Sequence, residues 1–232
     1  MNFEYFQRQL ALTNWGMQAQ TALQHKTVAL VGVGGLGSWM ALSLGGCGFG
    51  RIRLIDGDHI STSNLHRQPL FGPNEVGQLK VHVALDRCIK QFPHTKWEGF
   101  STFLTTENRL ELLTGCDLVL DGTDDFSARI GMDEACETLG IPWIFAGIFQ
   151  SEIQTGVFHP SRGRSFRQLF GESAGVEGGS CQIQGVLPPV PALVAQLQVI
   201  QALEILGNGK DPLSYPLLYG NLADFQFQKI PL

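Results

Sequence analysis

The chain has 232 residues, of which 44% are hydrophobic and 16% are charged, and its formal net charge is −5. This length allows one large α/β domain or two small ones, with a sizeable core. The acidic balance and the lack of any run rich in Lys or Arg argue against nucleic acid as a main partner.

The first ten residues include Glu4 and Arg8 and lack an apolar stretch, so they do not read as a signal peptide. No run of 18 consecutive apolar residues occurs, so we expect no membrane span and a cytoplasmic protein. The five cysteines form no C-x-x-C motif, so neither a zinc knuckle nor a redox pair is predicted.

The first part of the chain predicts a β-α-β unit. Residues 3–24 are expected to form one or two short amphipathic helices, which make up an N-terminal arm over residues 1–25. Residues 27–31 are a short apolar run that ends in glycines, which indicates a buried parallel strand. A helix over 36–47 and a strand over 51–55 complete a unit of about 30 residues.

The alternation of strands and helices continues to residue 150. Residues 58–77 are polar and rich in turn residues, which predicts a long functional loop. Further helices are expected at 80–91, 107–113 and 126–139, and further strands at 96–100, 117–120 and 142–145. The whole predicts an α/β fold with a doubly wound, Rossmann-like, mostly parallel sheet, whose nucleotide-binding half covers residues 26–150.

The pattern changes after residue 150, and residues 151–232 predict an antiparallel C-terminal extension within the same single domain, 1–232. A strand is expected at 154–158, and a mobile loop at 161–181, because that segment is rich in Gly, Ser and charge. Three prolines open a helix that runs from about 192 to 206 and stops at Gly207. Two antiparallel strands are expected at 217–219 and 225–230.

Four glycines, Gly32, Gly34, Gly35 and Gly37, lie between the first predicted strand and helix. Without side chains there, the backbone can approach a ligand closely, and the free N–H groups at the helix start favour anions. We therefore predict nucleotide binding; the alternative is a tight turn with no ligand. The motif is not a P-loop.

Two aspartates follow the second predicted strand. Asp56 ends that strand, where an acidic residue hydrogen-bonds ribose hydroxyls of either NAD or ATP. Asp58 points the same way, and a second carboxylate is more useful near a metal ion or a polyphosphate. The alternative for Asp58 is an ordinary loop aspartate.

Donor and cationic side chains follow in the long loop. Asn64, Arg67 and Gln68 supply several donors over one short segment, and Lys80 adds a cation at a helix start. Such groups would neutralise a triphosphate and a departing pyrophosphate. The alternative for each cation is a solvated surface position.

Asp124 follows the strand that ends at Asp121, so its carboxylate is expected at the carboxyl edge of the sheet. Magnesium prefers one or two carboxylates together with phosphate oxygens, which makes Asp124 the predicted metal ligand. The neighbouring Asp125 could instead cap the helix that follows.

Together these motifs resemble those of the ThiF/MoeB/HesA family, the bacterial relatives of the ubiquitin-activating enzymes. The family pattern is G-x-G-G-L-G, D-x-D, N-L-x-R-Q, a Lys, and D-x-x-D-x-x-x-x-R. This chain carries it, in order and spacing, at Gly32, Gly34, Gly35, Leu36, Gly37, Asp56, Asp58, Asn64, Leu65, Arg67, Gln68, Lys80, Asp121, Asp124 and Arg129. Residues 5–9 resemble the family's R-Y-x-R-Q arm, with Glu4 in place of the first Arg.

The resemblance implies ATP- and Mg²⁺-dependent adenylation of a ubiquitin-like sulfur carrier of the ThiS or MoaD type, in thiamine or molybdopterin biosynthesis. The carrier's C-terminal Gly-Gly carboxylate would attack the α-phosphate of ATP. In family terms, Asp56 holds ribose and Asp124 holds magnesium. Arg8 would reach the phosphates across a homodimer interface. The phosphate-binding set would be Asn64, Arg67, Gln68 and Lys80.

Two positions bear on the subfamily. Family members often have a Cys where Cys181 stands, and in some it bonds covalently to the carrier or its sulfur; the alternative is an unreactive loop cysteine. Many members also bind zinc through two C-x-x-C pairs, but residues 164–170 and 222–232 contain no Cys, so no zinc is expected. Apolar packing would fill that space through Phe166, Phe170, Phe225 and Phe227.

Two other functions compete with adenylation. An NAD(P)-dependent oxidoreductase would share the glycines and Asp56, but it gives Arg67, Lys80 and Asp124 no task. A non-catalytic carrier-binding scaffold is the other alternative, and the intact set of those three residues argues against it.

Overall fold

The computed structural model describes residues 3–171 and 185–232. Its strands form one eight-stranded sheet in the order β3-β2-β1-β4-β5-β6-β7-β8. The strands are β1 (Thr27–Val31), β2 (Arg51–Ile55), β3 (Lys96–Phe100), β4 (Leu118–Asp121), β5 (Trp143–Phe149), β6 (Glu152–Phe158), β7 (Leu217–Asn221) and β8 (Gln226–Ile230). Strands β1 to β5 pair in parallel, and β6, β7 and β8 are added antiparallel, which confirms the predicted fold class.

Helices cover both faces of the sheet. They are α1 (Gln7–Leu10), α2 (Gly16–Gln24), α3 (Gly35–Cys47), α4 (Lys80–Gln91), α5 (Arg109–Leu113), α6 (Phe126–Leu139), α7 (Phe166–Phe170) and α8 (Pro189–Leu206). Two hydrophobic clusters result, one on each face. The first joins residues of α3, α4 and α8 to the sheet, and the second joins residues of α5, α6 and α7 to it. This three-layer arrangement buries the continuous apolar runs of the parallel strands on both sides.

Helix α8 is apolar on nearly all sides, as expected for a helix that packs in a core. Among the described residues it is the one helix whose length and composition would suffice to cross a membrane, and more than half of it is buried inside the protein. It packs against α3 and against β5 and β6. Its buried polar side chain Gln198 bonds to the sheet, so α8 is described best as a core helix.

The region after β6 differs from its prediction. The sequence predicts a mobile loop at 161–181, but a 3-10 turn covers Pro160–Arg162 and α7 covers Phe166–Phe170. Phe166 is fully buried and Phe170 is partly buried, so α7 is anchored in the second cluster through these two side chains. Apolar side chains at helical spacing outweigh the local Gly, Ser and charge content there. Residues 172–181 lie outside the described residues.

The N-terminal arm is fixed to the far end of α3. A 3-10 turn (Phe3–Phe6) leads into α1 and then α2. The buried amide of Gln20 accepts bonds from Gln9 Nε2 (2.8 Å) and Trp15 Nε1 (3.1 Å) and donates to Cys47 O (2.9 Å). These bonds tie the arm to the C-terminal end of α3, about 20 Å from the N-terminal end of that helix.

The ladder between β4 and β5 is short, and this opens the sheet. The register runs only from Val119↔Trp143 to Leu120↔Ile144, so in the part of the chain that the structure describes the next residues of β5 have no strand partner on that side. Two side chains fill the first part of the gap. Gln198 donates to Ile144 O (3.1 Å), and Arg129 donates to Ala146 O (2.9 Å). A cleft therefore forms at the carboxyl ends of the parallel strands, where α/β sheets bind ligands.

Candidate active site

A cleft of about 1030 Å³ lies at this opening. Its walls come from the glycine-rich loop after β1, the long loop after β2, the turn after β4, and the second half of β5. The predicted site residues that line it are Gly34, Gly35, Asp58, Asn64, Arg67, Gln68, Lys80 and Asp124. Most of the residues that the sequence singles out are thus brought to one place.

The four glycines divide into two pairs. Gly32 has φ +86°, and a Cβ there would lie 2.8 Å from Gly122 O; a Cβ on Gly37 would lie 2.0 Å from Gly32 O. These two glycines are needed for the loop itself to pack. A Cβ on Gly34 or Gly35 would meet its nearest heavy atom at 3.6 Å, and both residues line the cleft. They leave room for a ligand at the start of α3, where N–H groups favour anions.

Asp56 is buried at the base of this loop. Its carboxylate accepts the N–H groups of Val33 (2.6 Å) and Asp58 (2.7 Å), so it ties the glycine-rich loop to the end of β2. Burial raises the pKa of Asp56, while the two N–H bonds and the charge of Lys80 oppose that rise. Asp56 is not among the residues that line the cleft. Its role in ribose binding stays a prediction.

Lys80 is the first residue of α4, as predicted, and its side chain is only 8% exposed. The ammonium lies 2.8 Å from Asp58 Oδ2, on a side chain that is 57% exposed. The Lys80 N–H also bonds to Asp58 O (2.9 Å). A nearly buried cation is therefore held at the cleft wall by an accessible carboxylate, in a position from which it can also meet a ligand phosphate.

The remaining donors lie beside it. Arg67 Nη1 donates to Ser63 O (2.8 Å), and Arg67 has no carboxylate partner among the described residues. Gln68 is buried, and its Oε1 has no hydrogen-bond partner among the described residues. A buried amide that is left incomplete beside a cleft is typical of a site that a ligand completes.

The two adjacent carboxylates after β4 have different roles. Asp125 Oδ1 accepts Ala128 N–H (3.0 Å) and caps α6, which confirms the capping role considered for it. Asp124 is exposed, lines the cleft, and forms no ion pair in the described part of the chain. A free carboxylate that lines the same cleft as Arg67 and Lys80 has the chemistry that Mg²⁺ prefers, and the accessible Asp58 carboxylate lies 2.8 Å from the Lys80 ammonium.

Arg129 forms the floor of the cleft. Its Nε lies 2.8 Å from Asp121 Oδ2, and its Nη2 lies 2.9 Å from both Thr123 O and Ala146 O. These bonds join the end of β4, the turn that holds Asp124, and β5. Sequence reasoning missed Gln198, which bonds to Asp121 O and Ile144 O from α8. Three glutamines within a largely apolar helix, at 196, 198 and 201, were the signal available for it.

Besides Gly32, Gly37 and Asp56, which are not among the lining residues, Arg8 and Cys181 are predicted site residues that the cleft as described does not include. Arg8 lies in α1, at the far end of α3, so it does not reach the cleft of its own chain. Cys181 lies outside the described residues. The other four cysteines are free thiols. Burial raises the pKa of Cys47 to about 11 and of Cys88 to about 12, which favours the protonated thiol at both positions.

Residues 164–170, where the resemblance would place one Cys pair, contribute two rings to an aromatic cluster. The cluster consists of Trp143, Phe145, Phe158, Phe166 and Phe170. Phe166 and Phe170 therefore pack as predicted. The same prediction is wrong for Phe225 and Phe227, which are 81% and 49% exposed, because β8 is an edge strand with no layer over it.

A doubly wound sheet with a glycine-rich loop, clustered cations and a free carboxylate at its carboxyl edge defines a nucleotide-binding α/β enzyme. The sequence model of the ThiF family matches residues 6–232, and the chain belongs to that family. A sulfur carrier protein adenylyltransferase of Thermus thermophilus is 35% identical, over 97% of this chain and 85% of that protein. The molybdopterin-synthase adenylyltransferase of Salmonella typhimurium is 32% identical, over 98% and 91%.

Other relatives are longer, and solved structures share the fold. The chain spans 60% of a probable molybdopterin-synthase adenylyltransferase of Porphyra purpurea, at 30% identity and 98% coverage of this chain. PaaA matches with TM-score 0.82 and 25% identity, over 99% of this chain and 73% of PaaA. E. coli MccB with ATP matches with TM-score 0.79 and 21% identity, over 92% and 66%, which shows the fold alone. By its family the chain is a nucleotidyltransferase enzyme.

Proposed function

We propose that this chain adenylates the C-terminal Gly-Gly carboxylate of a ubiquitin-like sulfur carrier protein, using ATP and Mg²⁺. One observation carries the proposal. Arg67, Lys80 and Asp124 come from three separate segments and converge on one cleft beside the glycine-rich loop. A set of two cations and one free carboxylate suits a nucleoside triphosphate with its metal ion better than a dinucleotide.

The reaction needs charge neutralisation and alignment more than a base. A carboxylate oxygen of the carrier attacks the α-phosphorus of ATP, the bond between the α- and β-phosphates breaks, and pyrophosphate leaves with the electron pair. The nucleophile is already ionised at neutral pH. Arg67 and Lys80 would stabilise the charge that develops on the phosphates. The N–H groups near Gly34 and Gly35 would hold phosphate oxygens.

Magnesium fits the residues present. Asp124, with Asp58 as a second carboxylate, offers the oxygen ligands that this ion prefers beside phosphates. When bound, the ion would neutralise phosphate charge and polarise the phosphoryl group. Arg129 holds the Asp124 turn against β5, so the carboxylate is presented from a fixed backbone.

The relatives named above, which are adenylyltransferases of a sulfur carrier protein and of molybdopterin synthase, support a sulfur carrier as the partner. We propose that the pathway is thiamine or molybdopterin biosynthesis. An oxidoreductase leaves the three converging residues without a task and has no support from the family. A carrier-binding scaffold remains testable, since a scaffold would bind the carrier without releasing pyrophosphate.

The test measures pyrophosphate release from ATP and Mg²⁺, with a ThiS-type and a MoaD-type carrier added separately. We expect release with one carrier only, and a loss of about 100-fold or more in Asp124→Asn. Asp125→Asn is the matched control, because Asn is also a good N-cap and the charge change is one residue away. Equal activity of wild type and Asp124→Asn, or no release with either carrier, would contradict the proposal.

We also propose a homodimer in which Arg8 acts on the partner's cleft. Within one chain the arm is bonded to the C-terminal end of α3, whereas the cleft lies at the N-terminal end of that helix. Exposed apolar side chains that a second copy would cover lie in the arm, at Leu12 and Met17, and on α8, at Leu193 and Ile200.

Mixing two inactive variants tests this arrangement. In an equal mixture of Arg8→Ala and Asp124→Asn that has exchanged subunits, half the dimers are mixed and each has one intact site. We expect about a quarter of wild-type activity to return. No recovery, with mixed dimers shown to form, would place Arg8 in its own subunit or outside the reaction.

A further inference from the structure

The second half of β5 presents a free backbone edge to the cleft. The ladder to β4 ends at Ile144, while β6 pairs with β5 along its full length to Phe149. Ile144 O and Ala146 O are occupied by Gln198 and Arg129. The edge beyond Ala146 lines the cleft, and no strand within residues 3–171 and 185–232 pairs with it on that side. An extended peptide can add to such an edge through main-chain hydrogen bonds.

A carboxylate and an aromatic ring stand together at the outer end of this edge. Phe149 and Glu152 are direct partners across the β5–β6 hairpin, and both line the cleft. Phe149 is 51% exposed. Among the described residues no cation lies within ion-pair distance of Glu152. The hydroxyl of Tyr219 is its polar neighbour: desolvation, and then the hydrogen bond to Glu152, raises the pKa of Tyr219.

The pair therefore has the chemistry of a cation site. An unpaired carboxylate attracts an ammonium or guanidinium group, and an exposed ring face adds cation–π attraction and covers the aliphatic stem. The cations of the cleft come from other elements: Arg67 from the loop after β2, and Lys80 from the first residue of α4. The cleft thus offers cations where phosphates are expected and an acidic, aromatic corner where a peptide would enter.

The spacing along β5 sets which residue of a peptide would meet this corner. Arg129 Nη2 binds both Thr123 O and Ala146 O, so the Asp124 turn is level with Ala146. Phe149 lies three residues further along β5, which is about 10 Å in a strand. An extended tail whose terminal carboxylate lies at the Asp124 turn would cover that distance in about three residues.

Resting on the proposed function, we propose that Phe149 and Glu152 select the carrier by its C-terminal tail. They favour a basic side chain, and disfavour an acidic one, about three residues before the final glycine. Selection against the acidic tail follows from the same unpaired charge, since a like charge would be brought to a half-buried carboxylate.

The experiment uses one carrier with Lys, Gln or Glu at each of the two positions three and four residues before its C-terminus. Two positions are needed because side chains of an extended tail alternate in direction. Binding of each labelled carrier is measured by fluorescence anisotropy, and pyrophosphate release gives kcat/KM. Wild type, Glu152→Gln and Glu152→Lys are compared. Asp224→Lys is the matched control, because it makes the same charge change in the nearby β7–β8 turn but outside the cleft.

We expect wild type to bind the Lys carrier about five-fold or more tightly than the Glu carrier at one of the positions. Glu152→Gln should remove the preference and Glu152→Lys should reverse it, with ATP affinity unchanged. Asp224→Lys should keep the wild-type preference. The same Lys-to-Glu ratio in wild type and Glu152→Lys would overturn the proposal. A preserved binding preference without pyrophosphate release would overturn the adenylation function instead.

Discussion

The cleft and the junction between α6 and α7 use charged side chains in opposite ways. In the cleft, Asp124 is exposed and unpaired among the described residues, and Lys80 is held only by an accessible carboxylate. At the α6–α7 junction, Asp133 is fully buried and saturated with donors. These donors are Trp143 Nε1, Phe166 N, Ser165 Oγ and Arg167 Nε.

This difference separates charges that act on a ligand from charges that hold the fold. A buried carboxylate is tolerated only when its lone pairs are satisfied, so Asp133 is committed to structure. It fixes α7, and with it the aromatic cluster, to α6. The charged side chains of the cleft are left without full sets of partners, at some cost in stability, which is usual for a binding site.

The largest expected effect is on stability, at the junction. Asp133→Asn places an amide NH₂ group among donors and removes the charge that Arg167 faces. We expect unfolding to become easier by about 3 kcal/mol, a fall in Tm of about 6–12 °C. Thermal unfolding measures this change, and ATP affinity below the transition should stay the same.

Glu137→Gln is the control for that experiment, because Glu137 also bonds to Arg167 but its side chain is half exposed. We expect less than about 1 kcal/mol from it. A similar Tm for the two variants would show that burial does not separate the two carboxylates, and the contrast drawn above would be wrong.

The second-largest expected effect is a loss of activity on removing the Lys80 cation from the cleft. Lys80→Met keeps the side-chain volume and removes the cation, and we expect kcat for pyrophosphate release to fall by about 100- to 1,000-fold. The Tm should change little, because the partner Asp58 is already exposed and can be solvated. Lys90→Met, on the same helix but exposed, should retain full activity. A large loss of Tm in Lys80→Met would mean that this charge is structural too.

The glycine-rich loop allows both kinds of role to be tested within six residues. Gly37→Ala forces a Cβ against Gly32 O, and we expect a loss of about 1–3 kcal/mol in stability. Gly34→Ala has space in the loop but fills part of the cleft. Its Tm should be that of wild type, while ATP binding weakens about ten-fold. Isothermal titration and thermal unfolding distinguish them, and the same phenotype in both variants would contradict the division.

The smallest effect is the pH dependence of stability from His159, which is buried at the end of β6. Burial, and then the charge of Arg162, lowers the pKa of His159 below its ordinary value of 6.5. The unfolded chain therefore binds a proton that the folded chain does not, and stability should fall as the pH drops below about 7 towards the folded pKa. His159→Gln should flatten this slope in Tm against pH. The exposed His25→Gln should leave the slope unchanged; a slope unaffected by His159→Gln would assign it to other groups.

Much of the site could be predicted because ligand-facing residues follow local rules. Glycines after a buried strand, a carboxylate at a strand end, and donors in a long loop are recognisable wherever the chain places them. The sequence predicts a mobile loop at 161–181, but α7 lies within it, because the Gly, Ser and charge content of the segment hides two apolar anchors, Phe166 and Phe170. Phe166 is buried through contacts with Phe145 of β5 and Phe158 of β6, which local composition does not reveal.

By itself the sequence determined the class of fold and the residues that converge on the cleft. Both depend on periodicity and on short motifs at the ends of strands, which are local properties. Only the tertiary structure separated Gly32 and Gly37 from Gly34 and Gly35, showed Asp56 to be bound by two backbone N–H groups, and placed Glu152 beside Phe149. These outcomes depend on which groups meet across the fold, because a side chain's role follows from whether its partners are already satisfied.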